Sequence, residues 1–100
     1  MPKIALDDCL SVGENGYPPT LPSTGLSTKT KVGGKFVVLK DQTKYAAHGK
    51  PKSPTHTEDM RIVIGGSSKA KIEGSYIARK GDAIGDGDTI NQGFDKVNVG

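Results

Sequence analysis

Apolar and polar positions follow one short pattern that occurs twice, forty residues apart. In the copy from Gly66 to Asp82, GSSKAKIEGSYIARKGD, small and polar residues lead into an alternating run, a tight turn and a second alternating run. A shift of forty residues pairs Ser27 with Ser67, Lys29 with Lys69, Lys31 with Lys71, Val32 with Ile72, Gly34 with Gly74, Phe36 with Tyr76, Val37 with Ile77 and Lys40 with Lys80. A third, truncated copy runs through Gly93, Lys96, Val99 and Gly100, which match Gly66, Lys69, Ile72 and Glu73. Its second arm is supplied by Ile4-Ala5-Leu6, matching Ile77-Ala78-Arg79. The pattern predicts one domain, residues 1–100, in which a small β unit is repeated about a pseudo-threefold axis and the first and last strands complete one another.

Each full copy reads as a β-hairpin. Gly33-Gly34 joins Ser27–Val32 to Lys35–Leu39, and Glu73-Gly74 joins Lys69–Ile72 to Ser75–Arg79; glycines supply the positive φ that a two-residue turn needs. That turn sets Ile72 opposite Ser75, Lys71 opposite Tyr76 and Ala70 opposite Ile77. One face then collects Ala70, Ile72 and Ile77, with Thr30, Val32 and Val37 in the first copy, and is the expected core face. On the other face Lys71 lies across from Tyr76 and Lys31 across from Phe36, so the lysine stems cover the rings. Between these elements lie three irregular loops, Val12–Thr24, Asp41–Met60 and Gly81–Thr89, expected to leave from one end, with Leu21 as the buried anchor of the first. No window has the apolar period of an amphipathic helix, so the fold class is all-β with little or no helix.

Composition narrows the function classes. One hundred residues with 33% hydrophobic content and five aromatics allow only a thin core. The net charge of +3 comes from lysines spread through every segment, which describes a solvated surface rather than a nucleic-acid patch. The single cysteine, Cys9, has no internal disulfide partner. With no signal-peptide pattern and no long apolar run, the chain is expected to be made as a soluble cytoplasmic protein.

Several segments resemble the PAAR-repeat family, named for a Pro-Ala-Ala-Arg tetrapeptide. Tyr76-Ile77-Ala78-Arg79 leading into Lys80-Gly81-Asp82 is similar to that tetrapeptide and its sequel. Gly13-Glu14-Asn15-Gly16-Tyr17-Pro18-Pro19 is similar to the family's Gly-His-x-Gly-aromatic-Pro-Pro segment, and Gly66-Ser67-Ser68 to the Gly-Ser before each hairpin. The first repeat departs from the pattern, with Asp41-Gln42 in place of Gly-Asp. The resemblance implies a small monomeric cone that caps a trimeric β-helical spike in a contractile phage tail or a type VI secretion system. Such a cap helps the spike pierce the target cell envelope, without catalysis. It would place the protein at the spike tip of a virion, the compact form favouring a phage tail without an attached toxin domain, or have it secreted with a type VI spike. Docking on the spike is expected at the apolar ends of the repeated strands: Ile72, Ile77, Val32, Val37, Val97 and Val99.

The resemblance also implies a metal site at the tip, built in the family from three histidines and a cysteine. Residue by residue, Glu14 falls on the first histidine, His48 and His56 on the second and third, and Asp86 on the cysteine, with Cys9 as an alternative ligand. Imidazole and carboxylate suit zinc or iron. The bland alternative makes His48 and His56 ordinary loop residues.

Three further readings are weaker. Asp82, Asp86 and Asp88 suit turns better than calcium, because the terminal glutamate of a calcium loop is missing. Gly81–Gly87 lacks the lysine and helix of a phosphate loop, and Cys9 with a histidine is a weak case for a nucleophile. The functional alternative to the spike tip is a small basic β domain whose lysines and aromatics, such as Lys31 with Phe36 and Lys71 with Tyr76, bind single-stranded nucleic acid.

Overall fold

The computed structural model describes residues 2–13 and 16–100. In chain order its strands are β1 (Lys3–Ile4), β2 (Ser11–Val12), β3 (Pro22–Thr24), β4 (Lys31–Val32), β5 (Lys35–Phe36), β6 (Lys44–Tyr45), β7 (Lys71–Ile72), β8 (Ser75–Tyr76), β9 (Thr89–Ile90) and β10 (Phe94–Asn98). A single 3-10 turn, Asp59–Arg61, is the only helical element among the described residues. The fold is therefore all-β and loop-rich, as the periodicity predicts.

Both hairpins form at the predicted register, with Lys31 opposite Phe36 and Val32 opposite Lys35, and Lys71 opposite Tyr76 and Ile72 opposite Ser75. Their turns have positive φ at both central residues, 58° and 80° at Gly33 and Gly34 and 51° and 81° at Glu73 and Gly74. That is the mirror-image turn whose twist suits a hairpin. Glu73 occupies a conformation that disfavours a side chain. Its carboxylate offsets the cost by accepting from Thr28 N–H at 2.9 Å, Thr28 O–H at 2.8 Å, Lys29 N–H at 3.2 Å and Thr30 N–H at 3.0 Å. The turn of one hairpin is thereby latched to the leading arm of the other.

The pseudo-threefold axis is written in backbone hydrogen bonds. Ala5 N–H donates to Ala78 O (3.1 Å), Ala78 N–H to Val38 O (3.0 Å) and Val38 N–H to Ala5 O (3.0 Å), a closed ring of three. A second ring repeats it: Asp7 to Phe36 O, Lys40 to Tyr76 O and Lys80 to Lys3 O, at 3.0, 2.9 and 2.8 Å. Each strand pairs with one neighbour over its first half and with the other over its second. Ala5, Val38 and Ala78 are fully buried where the three strands meet, in a close-packed centre.

The third arm closes across the termini of the sequence. Lys3 pairs with Asn98 and Ile4 with Phe94, while Val99 N–H donates to Pro2 O at 2.8 Å. The ladder skips residues in the same place in the second and third arms. Ser67 N–H and Ala70 O both bond Ile77, and the register shifts likewise where Ile4 meets Phe94. This leaves Ser68 and Lys69, and Asp95 and Lys96, exposed as bulges, as Thr28 and Lys29 are in the first arm. The body measures 39 × 24 × 22 Å; its two short axes are nearly equal, as a threefold arrangement about the long axis requires.

The lysine stems lie where the pattern puts them, with Lys31 Nζ 4.9 Å from the Phe36 ring centre and Lys71 Nζ 4.5 Å from that of Tyr76. The core is Ile4, Leu6, Val37, Leu39, Tyr45, Val63, Ile84, Ile90 and their neighbours. Two expectations are corrected here. Of the six residues expected to dock on a partner, Val37, Ile77 and Val99 are core residues, and Val32, Ile72 and Val97 are half-buried against that core. A thin domain spends these side chains on itself. Leu21, the expected anchor of the first loop, is 46% exposed; the loop is held through its backbone instead, where Ala46 N–H donates to Leu21 O at 3.0 Å. No helix among the described residues is long and apolar enough to cross a membrane.

Candidate metal centre

The three loops gather into one cluster. β2 in the first pairs with β9 at the end of the third, β3 pairs with β6 in the second, and isolated bridges join Lys44 to Ile62 and Val63 to Ile84. Within the second loop, His48 and His56 face each other across a two-bond bridge, His48 N–H to His56 O at 3.1 Å and His56 N–H to His48 O at 2.9 Å. An antiparallel pair places the two imidazoles side by side, which the eight-residue spacing in sequence does not reveal.

Asp86 from the third loop meets them. His48 Nε2 and Asp86 Oδ2 are 3.0 Å apart, His56 Nδ1 and Asp86 Oδ2 2.9 Å, and the two ring nitrogens 3.1 Å. The His48 and Asp86 side chains are fully buried, and that of His56 is 15% exposed. His48 Nδ1 lies 2.9 Å from the Pro18 carbonyl, which only accepts, so that nitrogen carries a proton and Nε2 is the one turned to the cluster. Tyr17 stacks on both imidazoles, at 4.1 Å from His56 and 4.7 Å from His48, and its hydroxyl donates to Pro54 O at 2.7 Å.

Of the residues implied by the resemblance, the structure brings together His48, His56 and Asp86. Their ligand atoms all lie within 4.8 Å of one another, and they could hold a metal ion. Glu14 lies outside the described residues. Cys9 stands apart from this group: its Sγ accepts Leu6 N–H at 3.3 Å, and burial pushes its thiol pKa up. The reason is positional. Cys9 ends its strand as Asp82 ends the third, where Oδ2 accepts Arg79 N–H at 2.7 Å, and Thr43 Oγ1 serves Leu39 N–H at 2.8 Å in the second. Cys9 is a turn residue. Asp82 is one too, as expected for the turn aspartates, and Asp86 Oδ1 accepts Asp88 N–H at 3.2 Å while its other oxygen faces the histidines.

The group that sequence reasoning misses is Arg61. Fully buried, it spends all five N–H donors on five acceptors: Nε to Asp86 Oδ2 (2.8 Å), Nη1 to Ala46 O (2.6 Å) and to Thr20 Oγ1, Nη2 to Ser11 Oγ (2.9 Å) and Asp88 Oδ2 (2.8 Å). These acceptors come from all three loops. One signal was available. The chain uses twelve lysines and only two arginines, Arg61 and Arg79, and a rigid planar fork is what bidentate or multiple acceptors demand. Both arginines bind aspartates.

Charge decides what the cluster can do. Burial works to raise the Asp86 pKa, but the hydrogen bond from Asp88 N–H and the hydrogen bond and charge of Arg61 outweigh it and keep the carboxyl below its usual range. His48 Nε2, His56 Nδ1 and Asp86 Oδ2 converge within about 3 Å of one another, with their lone pairs available to one centre. The donor chemistry, two imidazole nitrogens with a carboxylate oxygen, fits a metal ion. A scan against protein-family models finds no match to the chain, and no curated protein matches it at a significant level.

Proposed function

We propose that the protein is a structural spike tip, a monomeric cap that seats on the blunt end of a trimeric β-helical spike in a contractile injection machine and sharpens it for passage through a target cell envelope. The observation that carries this reading is the ring of hydrogen bonds through Ala5, Val38 and Ala78. One polypeptide presents three equivalent arms about a single axis, the geometry needed to match three chains at once. A trimeric β-helix ends in unpaired strand edges that need cover, and the three loops gathered around Arg61 supply a second, cross-linked end. A phage tail is the preferred setting and a type VI system the alternative. Docking falls to the exposed hairpin turns and bulges, Gly34, Glu73, Gly74, Lys29 and Lys69 among them, since the apolar side chains face inward.

At the loop end, His48, His56 and Asp86 would hold one zinc or iron ion. The ion would cross-link the second and third loops; no bond chemistry is involved. A nucleic-acid platform is disfavoured because the Phe36 and Tyr76 rings are already covered by Lys31 and Lys71.

The test is to mix purified protein with the C-terminal β-helix of a candidate spike and measure stoichiometry by native mass spectrometry at two salt concentrations. One copy per trimer with weak salt dependence is expected. Two or more copies per trimer, no complex with any such spike, or tight binding to single-stranded DNA that falls steeply with salt, would overturn it.

A further inference from the structure

We propose that Arg61 is a positioning residue for the ion site: its guanidinium carries Asp86 into the ligand set and holds the three loops in register whether or not an ion is bound. The inference rests on the metal reading of His48, His56 and Asp86 given above, and adds a residue that the metal ligands themselves do not explain.

The geometry argues it in three steps. First, Arg61 Nε bonds the same oxygen, Asp86 Oδ2, that faces both histidines, so the arginine fixes where that oxygen sits and leaves it a free lone pair. Groups that orient a ligand in this way usually change metal affinity by about 10–100-fold when removed. Second, the other four donors reach Thr20, Ala46, Ser11 and Asp88, so the contact spans every loop that surrounds the site. Third, Arg61 is itself fixed at both levels. Its backbone N–H donates to Glu58 O at 2.9 Å within the 3-10 turn, the next residue bridges to Lys44, and the guanidinium lies 5.8 Å from the Tyr45 ring centre. A metal cross-link holds only while the metal stays. A guanidinium, charged at every accessible pH, makes the same cross-link permanent.

The experiment titrates cobalt(II) into the wild type, Arg61→Lys and Ser11→Ala, following visible absorption, while hydrogen exchange is read with and without chelator at the inter-loop amides of Ala46, Gly85 and Asn91. The wild type should bind cobalt and keep these amides protected in chelator. Arg61→Lys should bind at least tenfold more weakly with an altered absorption band, and its inter-loop amides should exchange faster with or without cobalt. Ser11→Ala, which touches no ligand, covers the case in which Arg61→Lys does not fold, and should weaken cobalt binding several-fold. Loosened loops with unchanged cobalt affinity and spectrum in both variants would make Arg61 merely structural and end the proposal. Loops that lose protection in the wild type on chelation would end it as well. A wild type that binds no cobalt would remove the metal reading, and this inference with it.

Discussion

Arg61 and Cys9 mark the two ways in which single residues settle this protein. Removing the guanidinium in Arg61→Met would strand Asp86 and Asp88 as buried carboxylates, and breaking a buried pair on one side costs about 3–5 kcal/mol. Urea unfolding should register a loss of that size; a loss below about 1 kcal/mol would mean that water reaches the pair. Cys9→Ser should behave oppositely, because a hydroxyl can accept Leu6 N–H as Thr43 Oγ1 accepts Leu39 N–H. Its stability should stay within about 1.5 kcal/mol of wild type, and metal content by elemental analysis should be unchanged. His48→Ala and His56→Ala should abolish that content. The residues that sequence made visible were those with distinctive chemistry, His48, His56 and Asp86, located through a motif. Arg61 was hidden because its five partners are spread over loops whose path no periodicity encodes.

The hairpins were legible at every level because a two-residue turn fixes the register and the register fixes each face. The loops were not. Tyr45, fully buried with its hydroxyl on Cys9 O at 2.8 Å, sits in a stretch without pattern, and its phenol is pushed up by burial. The latch between hairpins gives a test at this scale. Hydrogen bonds from Thr28, Lys29 and Thr30 pull the Glu73 carboxyl from an ordinary 4.5 to about 2. A carboxyl depressed on folding stabilises above its unfolded pKa and loses that contribution as pH falls through its folded one. Acid unfolding of the wild type should therefore include a component between about pH 4.5 and 2 that Glu73→Gln lacks. Superimposable acid profiles would dissociate the latch from stability.

For the molecule as a whole, the internal repeat announced the axis, and the structure shows how backbone bonds draw it. The repeat could not say which apolar residues would be left over for a partner, because a domain of this size consumes nearly all of them. Crowding at the axis predicts that Ala78→Leu overpacks the ring and costs about 1–3 kcal/mol. Ala47→Leu, at an exposed position, should change stability by less than about 0.5 kcal/mol. Equal midpoints for the two in thermal melts would show the centre to be loosely filled.

The rings of bonds are alike in geometry but unlike in sequence: their members are Ala5, Val38 and Ala78, and the turns beyond them end in a thiol, a hydroxyl and a carboxylate. A perfectly symmetric trimer beneath such a body has no means of preferring one orientation, so three rotational placements would be degenerate, worth about 0.6 kcal/mol of mixing entropy. Images of assembled particles averaged under imposed symmetry would then smear every side chain that differs between arms, and only reconstruction without symmetry would bring Arg61 and the paired imidazoles into focus.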